Sequence, residues 1–155
     1  MKKTNAMRML EDLQIHYEAI EYDAKTEVDG QVIAHLVKED PKHVYKTLVT
    51  QGVKDHSHFV FCIPVDGHLD LKKAAKAAGE KKLEMLEMKK LRAVTGYIRG
   101  GVSPLGMKKD FPTFLQETQE EKICISGGKK GSQIKVNPKE LIEKCDFTWA
   151  DLLKE

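Results

Sequence analysis

A lysine stands between apolar residues in VYKTL, residues 44–48, a stretch whose β-branched and aromatic residues favour a strand. Side chains alternate faces along a strand, so Lys46 shares a face with Val44, Leu48 and Thr50, and Tyr45, Thr47 and Val49 take the other. A buried ammonium is costly unless it is paired or meets an anion. On an outer face the same lysine is merely solvated. Two glycine-rich segments bring a second kind of chemistry. Residues 95–109 (TGYIRGGVSPLGMKK) hold Gly96, Gly100, Gly101 and Gly106, and residues 126–132 (SGGKKGS) follow an apolar run. Backbone N–H groups freed of side chains can cradle a phosphate or a carbonyl oxygen. Both segments also read as tight turns with solvated lysines. A P-loop does not fit, because Met107 stands where its lysine would follow Gly106. Lys46 and the two loops would together make an anion-binding cleft; separately they are ordinary.

Other chemical candidates are weaker. His56 and His58 alternate on a strand pattern and offer two metal ligands without a recognisable third. Cys62 and Cys124 sit in apolar strand-like runs and read as small buried hydrophobes. No nucleophile elbow, HExxH or paired carboxylates are readable. The lysine pairs 72/73, 81/82, 89/90 and 108/109 lie among glutamates, as on solvated helix faces, with an RNA backbone as the sharper reading.

The elements that must position these groups follow from periodicity and punctuation. Thr4 and Asp29 cap helices, the second with Val32, Ile33, Leu36 and Val37 facing inward. Asp70 starts a third helix that Gly79 closes, and Asn137-Pro138 starts another. A helix is expected over 88–94, closed by Gly96. Strands are expected at 16–22, 46–50, 58–65, 82–86, 97–99, 113–115, 123–126 and 133–136, and a helix or turn over 147–153. HFVFCIPV is apolar on both faces and so reads as a central strand ending at Pro64. The chain of 155 residues, 41% hydrophobic and with a net charge of +2, fits one domain over 1–155, an ordinary composition too balanced to imply nucleic-acid binding. Three cysteines without a CxxC pair point to a reducing compartment. No apolar run reaches the roughly 18 residues a membrane span needs, so a cytoplasmic protein is expected. The mixed order of strands and helices predicts an α/β domain, its mixed sheet closing toward a barrel with helices around it.

Four collinear segments, VYKTL (44–48), LDLKKAAKAAG (69–79), TGYIRGGVSPLGMKK (95–109) and SGGKKG (126–131), resemble the YbaK/EbsC family of aminoacyl-tRNA deacylases that act in trans. That family is related to the editing insertion domain of prolyl-tRNA synthetase. The resemblance implies clearance of mischarged Cys-tRNA(Pro), and of Cys-tRNA(Cys) as a second substrate. The ester would be cleaved by the substrate's own thiol, with no cofactor or metal. It implies the 3′ end of aminoacyl-tRNA and prolyl-tRNA synthetase as partners, and neither membrane nor DNA. The family's signature lysine falls on Lys46, beside Tyr45 and Thr47. Its glycine loop falls on Gly100, Gly101, Ser103, Pro104 and Gly106, and its second loop on Ser126, Gly127, Gly128 and Gly131. Where the family carries an aromatic near position 20 and an Asp after the second loop, this chain has Ile20 with Tyr22 nearby, and Ser132-Gln133. Deacylation of another mischarged tRNA by water, and a non-catalytic nucleotide or RNA-end binding module, are the alternatives.

Overall fold

The computed structural model describes residues 2–24 and 29–155. Side-chain caps set the helix starts. Thr4 Oγ1 accepts the Met7 N–H at 3.2 Å and opens α1 (Asn5–Asp12). Asp29 caps α2 (Gly30–Leu36), and Asp70 caps α3 (Leu71–Ala78) by accepting from the Lys72 and Lys73 N–H groups at 2.9 and 3.1 Å. A 3-10 turn at Met88–Lys90 leads into α4 (Leu91–Thr95), and Asn137 caps α5 (Pro138–Lys144). Gly79 and Gly96 end α3 and α4 at φ of 73° and 87°, a left-handed conformation that costs glycine nothing. Asp70→Ala is expected to lower stability by about 1 kcal/mol, read as a shift in the urea midpoint at unchanged slope.

The strands form two sheets. β1 (Tyr17–Glu21), β7 (Ser132–Val136) and β6 (Ile123–Ser126) make an antiparallel sheet in the order β1-β7-β6. The larger sheet runs β4-β2-β3-β5-β8, with β2 (Tyr45–Gly52), β3 (His58–Pro64), β4 (Leu83–Met85), β5 (Thr113–Gln116) and β8 (Thr148–Ala150). β2 is antiparallel to both neighbours, whereas β3, β5 and β8 run parallel. The sheets meet at one bridge, Val44 to Cys124, and do not continue into a closed barrel.

As HFVFCIPV requires, β3 is central and covered on both faces. Val60 and Cys62 join the main core with Leu115, Ile125, Ile134, Met7 and Leu10, while Phe59, Phe61 and Ile63 pack under α3 against Ala74 and Ala75. A third cluster, Ala34, Val44, Val65 and Cys124, lies under α2.

Three expected elements differ. Residues 97–99 form no strand, because Tyr97 is buried and its hydroxyl donates to the Leu105 carbonyl at 2.6 Å, which folds the segment into a loop. Residues 148–150 form β8, docked parallel to β5, where a helix or turn was expected. α2 buries Ile33 and Ala34 but leaves Val32 and Leu36 exposed. It lies so close to the sheet that a Cβ on Gly30 would sit 2.5 Å from Val65 Cγ1. So close an approach favours small residues on the inner face.

Candidate active site

Lys46 occupies a gap in the packing of β2. On its face Val44 is covered by the α2 cluster and Leu48 packs against the α3 cluster, and Lys46 falls between them. Its half-exposed side chain lines a cleft of about 340 Å³. Among the described residues no carboxylate lies within ion-pair distance of it, whereas Lys73 and Lys135 are paired with Asp151 and Glu39 at 2.9 and 2.5 Å. The solvated reading and the anion-meeting reading of the sequence therefore converge: the ammonium is hydrated, and it is hydrated inside a cleft.

The cleft follows the edge of β2. Six consecutive residues, Val44 to Val49, line it, both faces of the strand included. The Val65 N–H donates to the Val44 carbonyl, and the Leu86 N–H to the Val49 carbonyl at 3.0 Å. Ladder groups alternate sides along a strand, so Tyr45, Thr47 and Val49 turn their backbone N–H and C=O away from β3. β4 covers that edge only at Thr50–Gly52, and β6 touches it at Val44. Between these points no strand among the described residues pairs with it.

The opposite wall comes from the smaller sheet. Ile20, Gln133 and Ser126 are cross-strand neighbours in one register row, so their side chains share a face. Gln133 and Ser126 line the cleft, and Ile20 packs against the cluster around Val44 and Cys124. Gln133 is 4% exposed, and its Oε1 has no hydrogen-bond partner. The Tyr22 phenol is held by Gln133's side chain and Gly131's backbone; its pKa is raised chiefly by burial. Tyr22 thus supports Gln133 from behind. The neighbouring Lys135–Glu39 pair raises the Lys135 pKa through its hydrogen bond and ties the chain after α2 to β7.

The glycine loops contribute unequally. Gly100 lines the cleft, and Gly101 lies against the backbone of Lys129 and Lys130, so the two loops touch. The Gly127 N–H donates to the Ser132 carbonyl at 2.8 Å and closes the second loop. Gly128 packs near the Tyr97 ring. Ser103 is fully buried, its hydroxyl accepting from the Leu105 N–H at 3.2 Å. Pro104 and Gly106 line a different cavity, about 400 Å³, that also borders Met9 and Phe111. Of the residues singled out in the sequence, Tyr45, Lys46, Thr47, Gly100, Ser126 and Gln133 are gathered in the cleft; the rest stand behind it.

Sequence reasoning missed Gly30 and Ile33 of α2, the apolar wall of Met85, Leu86, Met88 and Leu91, and Arg99 and Val102 of the glycine loop. Arg99 lay inside a quoted motif and was a readable cation. The apolar wall carried no signal, since it exists only because β4 stops short. Among the described lining residues there is no histidine, no cysteine and no carboxylate, so Ser126 has no base beside it. Burial pushes the Cys62 and Cys124 thiols up to about 12 and Cys145 up to about 11. Thiolate is the reactive form. In native protein at pH 8, a charged thiol reagent is therefore expected to leave Cys62 and Cys124 unmodified and to react only slowly at half-buried Cys145. All three should react once urea unfolds the chain, as mass spectrometry would show.

The comparisons with known proteins agree with this geometry. The family model for the aminoacyl-tRNA editing domain matches residues 27–144. A protein of Enterococcus faecalis, named as a candidate Cys-tRNA(Pro)/Cys-tRNA(Cys) deacylase, EbsC, is 42% identical over 154 residues, covering 97% of this chain and 93% of that one. A solved structure described as a candidate trans-editing enzyme for prolyl tRNA synthetase superposes with a TM-score of 0.85 at 27% identity, covering 100% of both chains. The crystal structure of a hypothetical protein shares the fold, with a TM-score of 0.88 at 18% identity over 97% of this chain and 100% of that one. With its fold, its signature lysine and its glycine loop in register, this chain belongs to the aminoacyl-tRNA editing domain family.

Proposed function

We propose that the protein is a trans-editing deacylase that clears cysteine from tRNA(Pro), and from tRNA(Cys) as a second substrate, by thiol-assisted ester cleavage. The observation that carries this reading is a cleft with a hydrated lysine and a backbone edge, but no nucleophile–base pair among its described lining residues. Such a site suits a substrate that brings its own nucleophile. The cysteinyl thiol attacks its ester carbonyl, the bond to the ribose oxygen breaks, and that oxygen leaves with the thiol's proton. The products are a β-thiolactone and free tRNA. Intramolecular attack has a large effective molarity, so holding the thiol against the carbonyl supplies much of the rate.

Lys46 and Arg99 meet the anionic 3′ end, and Lys46 holds a phosphate or ribose oxygen at the mouth. The Gly100–Gly101 backbone lies where an N–H can stabilise the developing oxyanion. Ser126 and Gln133 contact the aminoacyl group. Ile20, Tyr22, Gly127 and Gly128 shape that wall, and Ser103, Pro104 and Gly106 fix the glycine loop from behind. Prolyl-tRNA synthetase is the partner that selects the tRNA, and the cytoplasm is the place of action. No helix among the described residues is long and apolar enough to cross a membrane.

The test is single-turnover deacylation of Cys-tRNA(Pro), Ala-tRNA(Pro) and Ser-tRNA(Pro). Rapid loss of the cysteinyl ester alone, with thiolactone trapped as product, supports the reading. Faster loss of the alanyl or seryl ester sinks the thiol mechanism in favour of water. Binding without turnover of any ester points to a non-catalytic RNA-end module.

A further inference from the structure

We propose that the open edge of β2 and the Oε1 of Gln133 together form the acceptor set that recognises the free α-amino group of the aminoacyl ester. The proposal rests on the cleft being an aminoacyl-ester site. It adds which group of the ester is read, and by which atoms.

Three observations converge on it. The cleft runs along six successive residues of one strand, so much of that wall is backbone rather than side chain. The ladder parity set by the Val44–Val65 and Val49–Leu86 hydrogen bonds turns the Tyr45 and Thr47 carbonyls toward the uncovered side. Across the cleft Gln133, nine-tenths buried, presents an amide oxygen with no partner. A buried acceptor left unpaired is costly, so a site that keeps one is built for a donor.

The remaining charge selects the donor. The titratable side chains among the described lining residues are Lys46, Arg99 and Tyr45. Lys46 and Arg99 are cations and already serve the anionic end of the ligand. A carboxylate, the ordinary partner of an ammonium, is missing from the same set. An α-amino group placed here is therefore held by neutral acceptors, and strand carbonyls with a glutamine amide oxygen supply them. The edge is short, bounded by β4 at Thr50 and by the Val44–Cys124 bridge. It offers room for one small group, not for an added peptide strand.

The test separates recognition from turnover. The probes are two non-hydrolysable 3′-amide analogues of aminoacyl-adenosine, one carrying cysteine and one 3-mercaptopropionate, which lacks only the α-amino group. Calorimetry is expected to show the cysteinyl analogue binding at least about tenfold tighter, the scale of one satisfied buried hydrogen bond. Gln133→Leu should remove most of that preference, weakening the cysteinyl analogue and leaving the desamino analogue unchanged. The ¹³C carbonyl resonances of Tyr45 and Thr47 should move with the cysteinyl analogue and not with the desamino one. Equal affinity of the two analogues overturns the proposal. So does a Gln133→Leu loss common to both, which would mark a merely structural glutamine. Failure to bind either analogue also overturns it, whereas binding with the stated preference alongside uncleaved esters would retain it and reject only the deacylase reading.

Discussion

Lys46→Met is expected to slow cysteinyl-ester cleavage by about two to three orders of magnitude, the scale seen when one preorganised electrostatic group is removed from an active site. The variant should melt within about 0.5 kcal/mol of the parent. Both halves follow from the structure. The ammonium has no ion-pair partner among the described residues, so no native interaction is lost with it. It stands in the gap between the α2 and α3 clusters, where a methionine fits as easily as the lysine stem. Lys46→Arg keeps the charge but widens the head, and a guanidinium does not replace a compact ammonium at a point contact. It should recover only part of the rate. By contrast Lys73 holds Asp151 and the Leu153 carbonyl, so Lys73→Met should cost stability and leave turnover alone. Single-turnover rates and thermal melts of the three variants decide it. A Lys46→Met protein with near-parental turnover would remove the lysine from the mechanism.

What the sequence made legible was local chemistry. Thr4, Asp29, Asp70 and Asn137 each cap the helix expected of them, because a cap is decided within four residues. β3 was readable as central because no half-exposed strand is apolar on both faces. Residues 148–150 were not readable as β8, since three residues acquire strand geometry only by docking on β5. The exposure of Val32 and Leu36 was equally hidden, because it depends on how closely Gly30 lets α2 approach Val65. In the site, Lys46, Gly100, Ser126 and Gln133 were legible as individual oddities, or through family resemblance. The edge of β2 was not, because an open edge is defined by where a neighbouring strand ends. Nor was the division of the glycine loop, with Gly100 in the cleft and Gly106 on another cavity.

Gly101→Ala is expected to be the most damaging single-methyl change in the glycine loop. The backbone of Gly101 lies outside the left-handed region, so alanine meets no conformational penalty there. The obstacle is contact: a Cβ would stand 2.8 Å from both the Cα and the carbonyl carbon of Lys129 and 3.0 Å from the Lys130 nitrogen. These are backbone atoms, and they cannot rotate aside as a flexible side chain would. The loops carrying Gly100 and Ser126 must separate, and both residues line the cleft. Overpacking of this kind costs about 1–3 kcal/mol of stability. A displacement of about 1 Å in a site that works by positioning can cost about a hundredfold in rate. Gly79→Ala is the matched control. Its φ of 73° imposes strain of about 1–2 kcal/mol, yet nothing lies within 4 Å of its new methyl, and α3 ends away from the cleft. The two variants should therefore lose similar stability, but only Gly101→Ala should lose turnover. If they lose turnover alike, the loop contact is not what positions the site; if Gly101→Ala keeps its rate, the cleft tolerates separation of its loops and the electrostatics of Lys46 must carry the catalysis.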